Sequence, residues 1–318
     1  MSMTRPSSAA LPPVALIAGP TASGKSALAL ALALRTGGTI INADSAQLYR
    51  ELRIVTARPS EEDEAASPHR LYGTRAGDDP ASAADWAREA KAEIATAHAA
   101  GSLPILVGGT GLYLRTLVEG IAPVPEIDSA IRAAVRALPA GDARKALEKE
   151  DPEAAARLKP SDAARTARAL EVRRSTGRSL TVWQEERIGG IADEVRLAPI
   201  VLLPPRDWLH ERCDARFDII HSEKGFAEVS YLLKLNYTDV LPVMRAIGVR
   251  EIAAVLSGAL DRETAREAGR IATRQYAKRQ YTWFRRQPPA EWLRFEGEVD
   301  GAGAKAALEL LTFGPAAP

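Results

Sequence analysis

The chain has 318 residues, of which 46% are hydrophobic and 26% charged, as in ordinary globular proteins with one large domain or a domain plus an insertion. Its formal net charge of +1 excludes binding of polyanions through overall charge, so any affinity for nucleic acid must come from local basic clusters. The single cysteine, Cys213, excludes a disulfide framework, and the four histidines have no ligand-like spacing.

The N-terminal residues 1–13, MSMTRPSSAALPP, lack the apolar core of a signal peptide, and we interpret them as a flexible tail. No stretch of the sequence approaches the ~18 consecutive apolar residues of a membrane span. We therefore expect a cytoplasmic protein that does not bind membranes.

The first predicted elements are a strand, a turn and a helix. The apolar run 14–18 is typical of a buried strand. Residues 27–34 are all Ala or Leu, which predicts a helix buried on every side, and Gly37 ends it. TIIN, residues 39–42, predicts a second strand, with Asp44 just beyond its end.

Further elements alternate in the same way. Ser60 and Ser82 are each followed by acidic residues in a first helical turn, which predicts two helix starts, and Gly101 ends the second helix. PILVGG, residues 104–109, predicts a third strand. This alternation predicts an α/β fold with a doubly wound parallel sheet.

The second half of the chain is mainly helical in pattern. We predict an inserted helical subdomain at 123–194 and a return to the sheet at about 195–205, followed by a helical C-terminal part. The predicted core therefore comprises 14–122 and 195–290, with a separate C-terminal segment at 291–318.

A glycine-rich turn follows the first strand with the spacing G-x-x-x-x-G-K-S. Backbone N–H groups of such a loop point into one concavity at the positive end of a helix, where they bind phosphate. The lysine adds a full charge and the final serine is a ligand for Mg²⁺. The predicted phosphate-binding residues are Gly19, Pro20, Thr21, Ala22, Ser23, Gly24, Lys25 and Ser26.

The second element of most nucleotide-hydrolysing enzymes, an apolar strand that ends in Asp, is missing beside this loop. ILVGGTG ends in glycines and Thr110 instead. Asp44 is the one acid just past a predicted strand, and the pattern leaves two roles open for it, a link to a metal or a general base. Ser45 to Gln47 follow it with groups suited to reading a substrate.

Two basic runs interrupt a nearly neutral chain. Residues 268–289 contain no acid, and Arg270, Arg274 and Lys278 share one helical face among interleaved aromatic residues. A second run lies at 164–178. Each run alone is equally typical of a solvated helix face with its aromatics in the core. Together they favour binding of RNA, because no helix suited to reading a DNA major groove is evident.

Several motifs, in this order, resemble bacterial tRNA dimethylallyltransferases (tRNA isopentenyltransferases), a P-loop prenyltransferase family. The resemblance extends from about Val14 to Gln287 and is carried by GPTASGKS at 19–26, INADSAQLY at 41–49, LVGGTGLYL at 106–114, MRAIGVRE at 244–251 and ATRQYAKRQYTWFR at 272–285. It implies a P-loop NTPase-like fold.

The resemblance also implies a reaction. The family transfers a dimethylallyl group from dimethylallyl diphosphate to the exocyclic amine of the adenine on the 3′ side of the anticodon, in tRNAs that read codons beginning with U. The loop would then hold a diphosphate leaving group. The alternatives are a P-loop kinase or NTPase that acts on a small metabolite, and a noncatalytic RNA-binding protein that uses a nucleotide as a structural ligand.

By the same resemblance, four residues are assigned to catalysis. Asp44 matches the proposed general base, Thr21 lies near the reacting carbon, and Thr110 and Arg216 match positions near the diphosphate. Ser26 would bind Mg²⁺, the expected cofactor.

The expected macromolecular partner is the tRNA anticodon stem-loop, bound by a monomer. Predicted contacts are Asp44, Ser45, Ala46, Gln47, Arg132, Ala164, Arg165, Thr166, Ala167, Arg168, Arg245, Ala246, Ile247, Gly248, Val249, Arg250, Arg274 and Lys278.

The sequence departs from the family pattern at several positions. The family commonly has Gly at Glu51 and at Val55, Lys at Arg58, a second His at Arg70 and Tyr at Val249, and residues 222–240 match poorly. The departures affect the geometry of the loop after Asp44 and details of tRNA contact, and they leave the diphosphate site intact.

Overall fold

The computed structural model describes residues 11–311, and its centre is a six-stranded sheet in which all strands are parallel. The strand order is β3-β2-β4-β1-β5-β6, which confirms the predicted doubly wound α/β architecture. The strands are β1 (Pro13–Ala18), β2 (Thr39–Asn42), β3 (His69–Arg70), β4 (Pro104–Gly108), β5 (Arg196–Leu202) and β6 (Leu293–Phe295).

Helices, together with loops and short 3₁₀ turns, connect these strands. None of the helices within residues 11–311 is both long enough and apolar enough to span a bilayer. They are α1 (Lys25–Thr36), α2 (Glu61–Ala66), α3 (Ala83–Ala99), α4 (Gly111–Glu119), α5 (Ser129–Ala137), α6 (Ala140–Glu150), α7 (Pro152–Arg157), α8 (Ala163–Thr176), α9 (Leu180–Trp183), α10 (Arg206–Ile220), α11 (Glu223–Lys234), α12 (Val249–Leu256), α13 (Arg262–Arg286) and α14 (Gly301–Leu310).

The predicted starts of two helices are confirmed. Ser60 and Ser82 cap α2 and α3, and each accepts a hydrogen bond from the backbone N–H three residues later. Asp63 and Asp85 return a bond to the capping residue, so both helices begin with a complete capping box.

The chain forms two compact units. Within the described residues, the first comprises 11–115 and 192–311, and it contains the sheet. The second, Thr116–Ile191, contains α5 to α9 around its own apolar core, in which Val135, Leu147 and Leu170 are buried. The sequence placed the boundaries of a helical subdomain at 123 and 194.

The expectation that α1 is buried on every side is wrong. Leu28, Ala29, Leu32 and Ala33 pack into the core, whereas Leu34 is 60% exposed. The helix covers one face of the sheet, so only one stripe of its surface is removed from water, and the Ala and Leu residues opposite that stripe face solvent.

Both ends of the core extend beyond the predicted limits. The carbonyl of Pro12 accepts a hydrogen bond from Arg196, so the ordered core begins inside the segment assigned to the tail. Residues 293–295 form β6 and α14 packs on α1, with Val299 and Ala307 buried. A three-residue strand has too few positions to show alternation. Residues 1–10 of the predicted tail and 312–318 of the predicted C-terminal segment lie outside the described residues.

The longest helix, α13, packs tightly on α10 through a stripe of small residues. Ala265, Gly269, Thr273 and Ala277 recur every fourth position and are buried. A methyl group at position 269 would collide with the ring of Phe217 in α10. The close approach of these helices therefore depends on glycine at this position.

We expect Gly269→Ala to lower the free energy of unfolding by about 1–3 kcal/mol, because the added methyl group overpacks this contact. The control is Gly141→Ala in α6, where the new methyl group would meet no heavy atom within 4 Å. That variant should match or slightly exceed the wild type, because alanine favours helix. Urea denaturation measures both, and equal effects would contradict the packing argument.

Candidate active site

Three loops meet at one edge of the sheet because parallel strands end on the same side. The P-loop, residues 19–26, follows β1, Asp44 follows β2, and the Gly109–Thr110 turn follows β4. β4 lies between β1 and β2 in the sheet. Ligands of open α/β sheets bind in the crevice outside these carboxyl ends.

The P-loop leads directly into the first turn of α1. Gly24 has a φ of 87° and caps the helix without a side-chain bond, so no capping side chain covers the amides of the first turn of α1. Lys25 is buried and its Nζ donates to the carbonyl of Pro20 at 2.9 Å. Burial lowers the pKa of Lys25 to about 8, although Asp44 acts in the opposite direction. Ser26 is exposed.

Asp44 is fixed by bonds to its own loop. Its Oδ1 accepts from the N–H of Ala46 at 3.0 Å, which caps the short 3₁₀ turn Ser45–Leu48. Its backbone N–H donates to Asn42 at 2.8 Å. Thr110 accepts a bond from the N–H of Ser45 at 3.0 Å, so the loop after β4 supports the loop that carries Asp44.

A cavity of about 290 Å³ opens between Thr21 of the P-loop, the loop that carries Asp44 and the C-terminal helices, and Thr110 does not line it. It brings together predicted residues from distant parts of the chain, and apolar side chains supply part of its wall. The predicted residues that line it are Thr21, Asp44, Ser45, Ala46, Arg216, Arg245, Ala246 and Ile247.

Arg216 supplies a second cation beside Lys25. Its guanidinium donates to the carbonyl of Thr56 at 3.0 Å, and within residues 11–311 it forms no ion pair. Burial lowers the pKa of Arg216 and Asp44 opposes that shift, but a guanidinium remains charged at neutral pH. The cavity therefore contains positive charge that no carboxylate of the described chain neutralises by contact.

Other predicted contact residues of this unit are placed differently. Gln47 is buried, and its amide donates to the carbonyls of Thr56 and Ala57. Gly248 and Val249 are buried at the start of α12, whereas Arg250 is exposed. Of this predicted segment, only residues 245–247 line the cavity.

The predicted contacts in the helical unit lie mostly on its surface. Arg132, Ala164, Arg165 and Arg168 are exposed, Ala167 is half-buried, and Thr166 is buried. Ion pairs join Arg165 to Asp162 and Arg168 to Glu171.

The basic face of α13 is partly neutralised within the chain. Arg270 makes two bonds to Asp218 of α10, and Arg274 bonds Asp214 and Glu267. Lys278, one turn later, is exposed and forms no ion pair within residues 11–311. Arg285 and Arg286 are also exposed, and within the same residues they form no ion pair.

Sequence reasoning missed two residues of α13 that bear on the site. Arg279 lines the cavity beside Tyr276, with its guanidinium 5.6 Å from the centre of that ring. Gln280 is buried and bonds the P-loop. Gln280 continues the buried stripe of α13, but its contacts with the P-loop have no signal in the sequence.

The departures from the family pattern have local partners. Glu51 accepts from the N–H of Gly77 at 3.0 Å, and the amides of residues 53–55 donate to Glu228 of α11. Val249 is buried, and Arg70 pairs with Glu93. The atypical loop after Asp44 is therefore held by the atypical segment 222–240.

The sequence profile of the IPP transferase family matches residues 47–287. That match covers more than half of the chain. The chain belongs to the IPP transferase family. The resemblance inferred from its motifs is thereby confirmed.

Individual relatives agree with this assignment. A tRNA dimethylallyltransferase of Erythrobacter litoralis is 60% identical over 290 residues, which are 90% of this chain and 92% of the relative. The crystal structure of a full-length tRNA isopentenylpyrophosphate transferase from Bacillus halodurans has a TM-score of 0.67 at 32% identity and covers 93% of both chains. A eukaryotic dimethylallyltransferase acting on tRNA has a TM-score of 0.74 at 26% identity, over 86% of this chain and 69% of that one.

The lowered pKa of Lys25 predicts a pH dependence of anion binding. Above pH about 8 the free protein loses this charge, so that binding of diphosphate must take up a proton. We expect the affinity for inorganic diphosphate, relative to that of Lys25→Arg, to fall by up to about tenfold per pH unit above this value. The ratio of the two affinities cancels the effect of the ionisation of diphosphate, because that effect is the same for both proteins. Calorimetric titration measures it, and parallel pH profiles would contradict the prediction.

Proposed function

We propose that the protein transfers a dimethylallyl group from dimethylallyl diphosphate to the exocyclic amine of the adenine on the 3′ side of the anticodon, in tRNAs that read codons beginning with U. The observation that carries the proposal is the convergence of Thr21 of the P-loop, Asp44 and Arg216 on one cavity. Membership of the IPP transferase family supports the same chemistry.

The P-loop would bind the diphosphate of the prenyl donor. Backbone amides at the start of α1, with Lys25 and Arg216, favour a diphosphate and stabilise the negative charge that grows on it as the allylic carbon–oxygen bond breaks. Thr21 lies at the junction of loop and cavity, where the reacting carbon would be held. The apolar wall, which includes Val55 and Ile220, suits the methyl groups of the donor.

The site is compatible with Mg²⁺. Within residues 11–311 no cluster of three or more His, Cys, Asp or Glu side chains could hold a metal ion. Mg²⁺ is commonly bound through one protein oxygen, substrate phosphates and water, and the exposed Ser26 hydroxyl on α1 meets that requirement. When bound, the ion would neutralise charge on the departing diphosphate.

Asp44 would act on the acceptor, the exocyclic amine of adenine. The exocyclic amine of adenine is a weak nucleophile, so a positioned carboxylate that removes its proton assists attack on the allylic carbon. The adenine must leave the stack of the anticodon loop to enter the cavity. Tyr276 and Arg279 on the wall offer an aromatic face and a cation to the flipped base.

The tRNA itself would bind through the exposed predicted contacts of each unit. In the sheet-containing unit these include Arg245 on the cavity lining and Lys278 on α13. We propose that the protein acts as a monomer in the cytoplasm, where unmodified tRNA is available.

The direct test is incubation of the purified protein with dimethylallyl diphosphate, Mg²⁺ and unmodified tRNA, followed by mass analysis of the nucleosides. We expect one prenylated adenosine per tRNA, at the position 3′ to the anticodon. Rapid ATP hydrolysis with no prenylated nucleoside would instead support the kinase or NTPase alternative.

Asp44→Asn should lower kcat by about 10²–10⁴-fold while the affinity for the donor stays near that of the wild type, because the variant loses only the proton acceptor. Asp78→Asn is the matched control, since Asp78 is exposed and lies outside the cavity lining. Single-turnover kinetics separate the chemical step from binding. Unchanged turnover in Asp44→Asn would remove Asp44 as the base.

Lys278→Gln should weaken tRNA binding and reduce the slope of log Ka against log salt by about 0.7–0.9, the contribution of one phosphate contact. Arg274→Gln should reduce the slope less, because Asp214 and Glu267 already compensate its charge. Filter binding at several salt concentrations measures both. A wild-type slope for Lys278→Gln would identify this face as a solvated surface.

A further inference from the structure

The buried carboxamide of Gln280 bonds two main-chain groups of the candidate active site. Its Oε1 accepts from the N–H of Thr21, and its Nε2 donates to the carbonyl of Gly109, both at 2.8 Å. One partner is a donor and the other an acceptor, so they fix the orientation of the amide. Gln280 is only 7% exposed, so its function differs from that of the solvent-facing residues of α13.

The two bonded groups belong to opposite sides of the reaction. Thr21 lies in the loop that would hold the donor diphosphate and it lines the cavity. Gly109 precedes Thr110, which accepts from the N–H of Ser45, the neighbour of Asp44. A continuous chain of short contacts therefore runs from the P-loop through Gln280 to the loop that carries the proposed base.

Packing leaves this side chain little room to move. A Cβ at position 109 would collide with Nε2 of Gln280, which shows that the amide lies directly against the Gly109 backbone. On the same helix, Thr273, Tyr276 and Arg279 line the cavity. The helix α13, which forms the cavity wall that would face the adenine, therefore also holds the P-loop through Gln280.

We propose that Gln280 is a positioning residue for prenyl transfer, which holds the P-loop and the Gly109–Thr110 turn at the separation that brings the donor carbon to the acceptor amine. This inference rests on the proposed function. The Thr21 N–H, committed to Gln280, serves to set the position of the loop, while the amides at the start of α1 remain for phosphate. Displacement of reacting groups by about 1 Å is enough to lower a rate by about 100-fold.

The first test replaces the amide by an apolar side chain of similar size. Gln280→Met should lower kcat by about 100-fold with little change in the KM for tRNA, because the lost bonds set geometry rather than contact RNA. Hydrogen exchange at the Thr21 amide should become faster. The matched control is Gln275→Met, since Gln275 is exposed on the same helix. Wild-type kcat in Gln280→Met would overturn the proposal.

The second test uses the protonation of a carboxyl group. In Gln280→Glu the ionised side chain still accepts from Thr21 but has no proton for the Gly109 carbonyl, and protonation restores that donor. We expect the ratio of variant to wild-type kcat to rise as the pH falls. A ratio that does not change with pH would indicate that the side chain only fills space. This variant keeps the size of glutamine and decides the question if Gln280→Met does not fold.

Failure of the proposed function can be distinguished from failure of this inference. If the wild type transfers no dimethylallyl group, the proposed function is wrong. Hydrogen exchange in the folded variants still tests whether Gln280 holds the P-loop. Unchanged exchange at Thr21 in Gln280→Met would overturn it whether or not the wild type transfers the prenyl group.

Discussion

The common direction of the six strands determines where the candidate active site lies. Because every strand is parallel, the loops that follow β1, β2 and β4 open at the same edge of the sheet. A phosphate-binding loop, a fixed carboxylate at Asp44 and the Gly109–Thr110 turn thereby become neighbours although they are far apart in the sequence. The helices α10 and α13 then enclose the space above that edge, because small residues on α13 allow the two helices to approach closely.

Electrostatics distinguishes this cavity from the basic surface beside it. The charges of Lys25 and Arg216 interact with that of Asp44, yet within residues 11–311 neither cation forms a contacting ion pair. On the outer face, Arg270 and Arg274 are paired with carboxylates of α10 and α13. The structure therefore keeps uncompensated charge where a diphosphate would bind and uses neighbouring arginines to join two helices.

Local patterns predicted the fold better than they predicted the site. The P-loop, the capping serines Ser60 and Ser82 and the principal strands each have a short-range signal, whereas β3 and β6 are too short to show one. The pairing of Arg274 with Asp214 depends on the packing of α10 against α13, which no spacing along one helix reveals. Gln280 was missed for the same reason, because its importance comes from contacts with the P-loop and with Gly109, both distant in the sequence.

The central claim is that the amides at the start of α1 bind the diphosphate beside a cavity that presents the Asp44 carboxylate to the acceptor amine. A crystal structure with dimethylallyl thiolodiphosphate, Mg²⁺ and an unmodified anticodon stem-loop tests it most directly. We predict diphosphate oxygens on the amides at the start of α1, and the adenine amine within about 3 Å of the Asp44 carboxylate and facing the allylic carbon. A diphosphate bound away from the P-loop, or an adenine whose amine is remote from Asp44, would contradict the account.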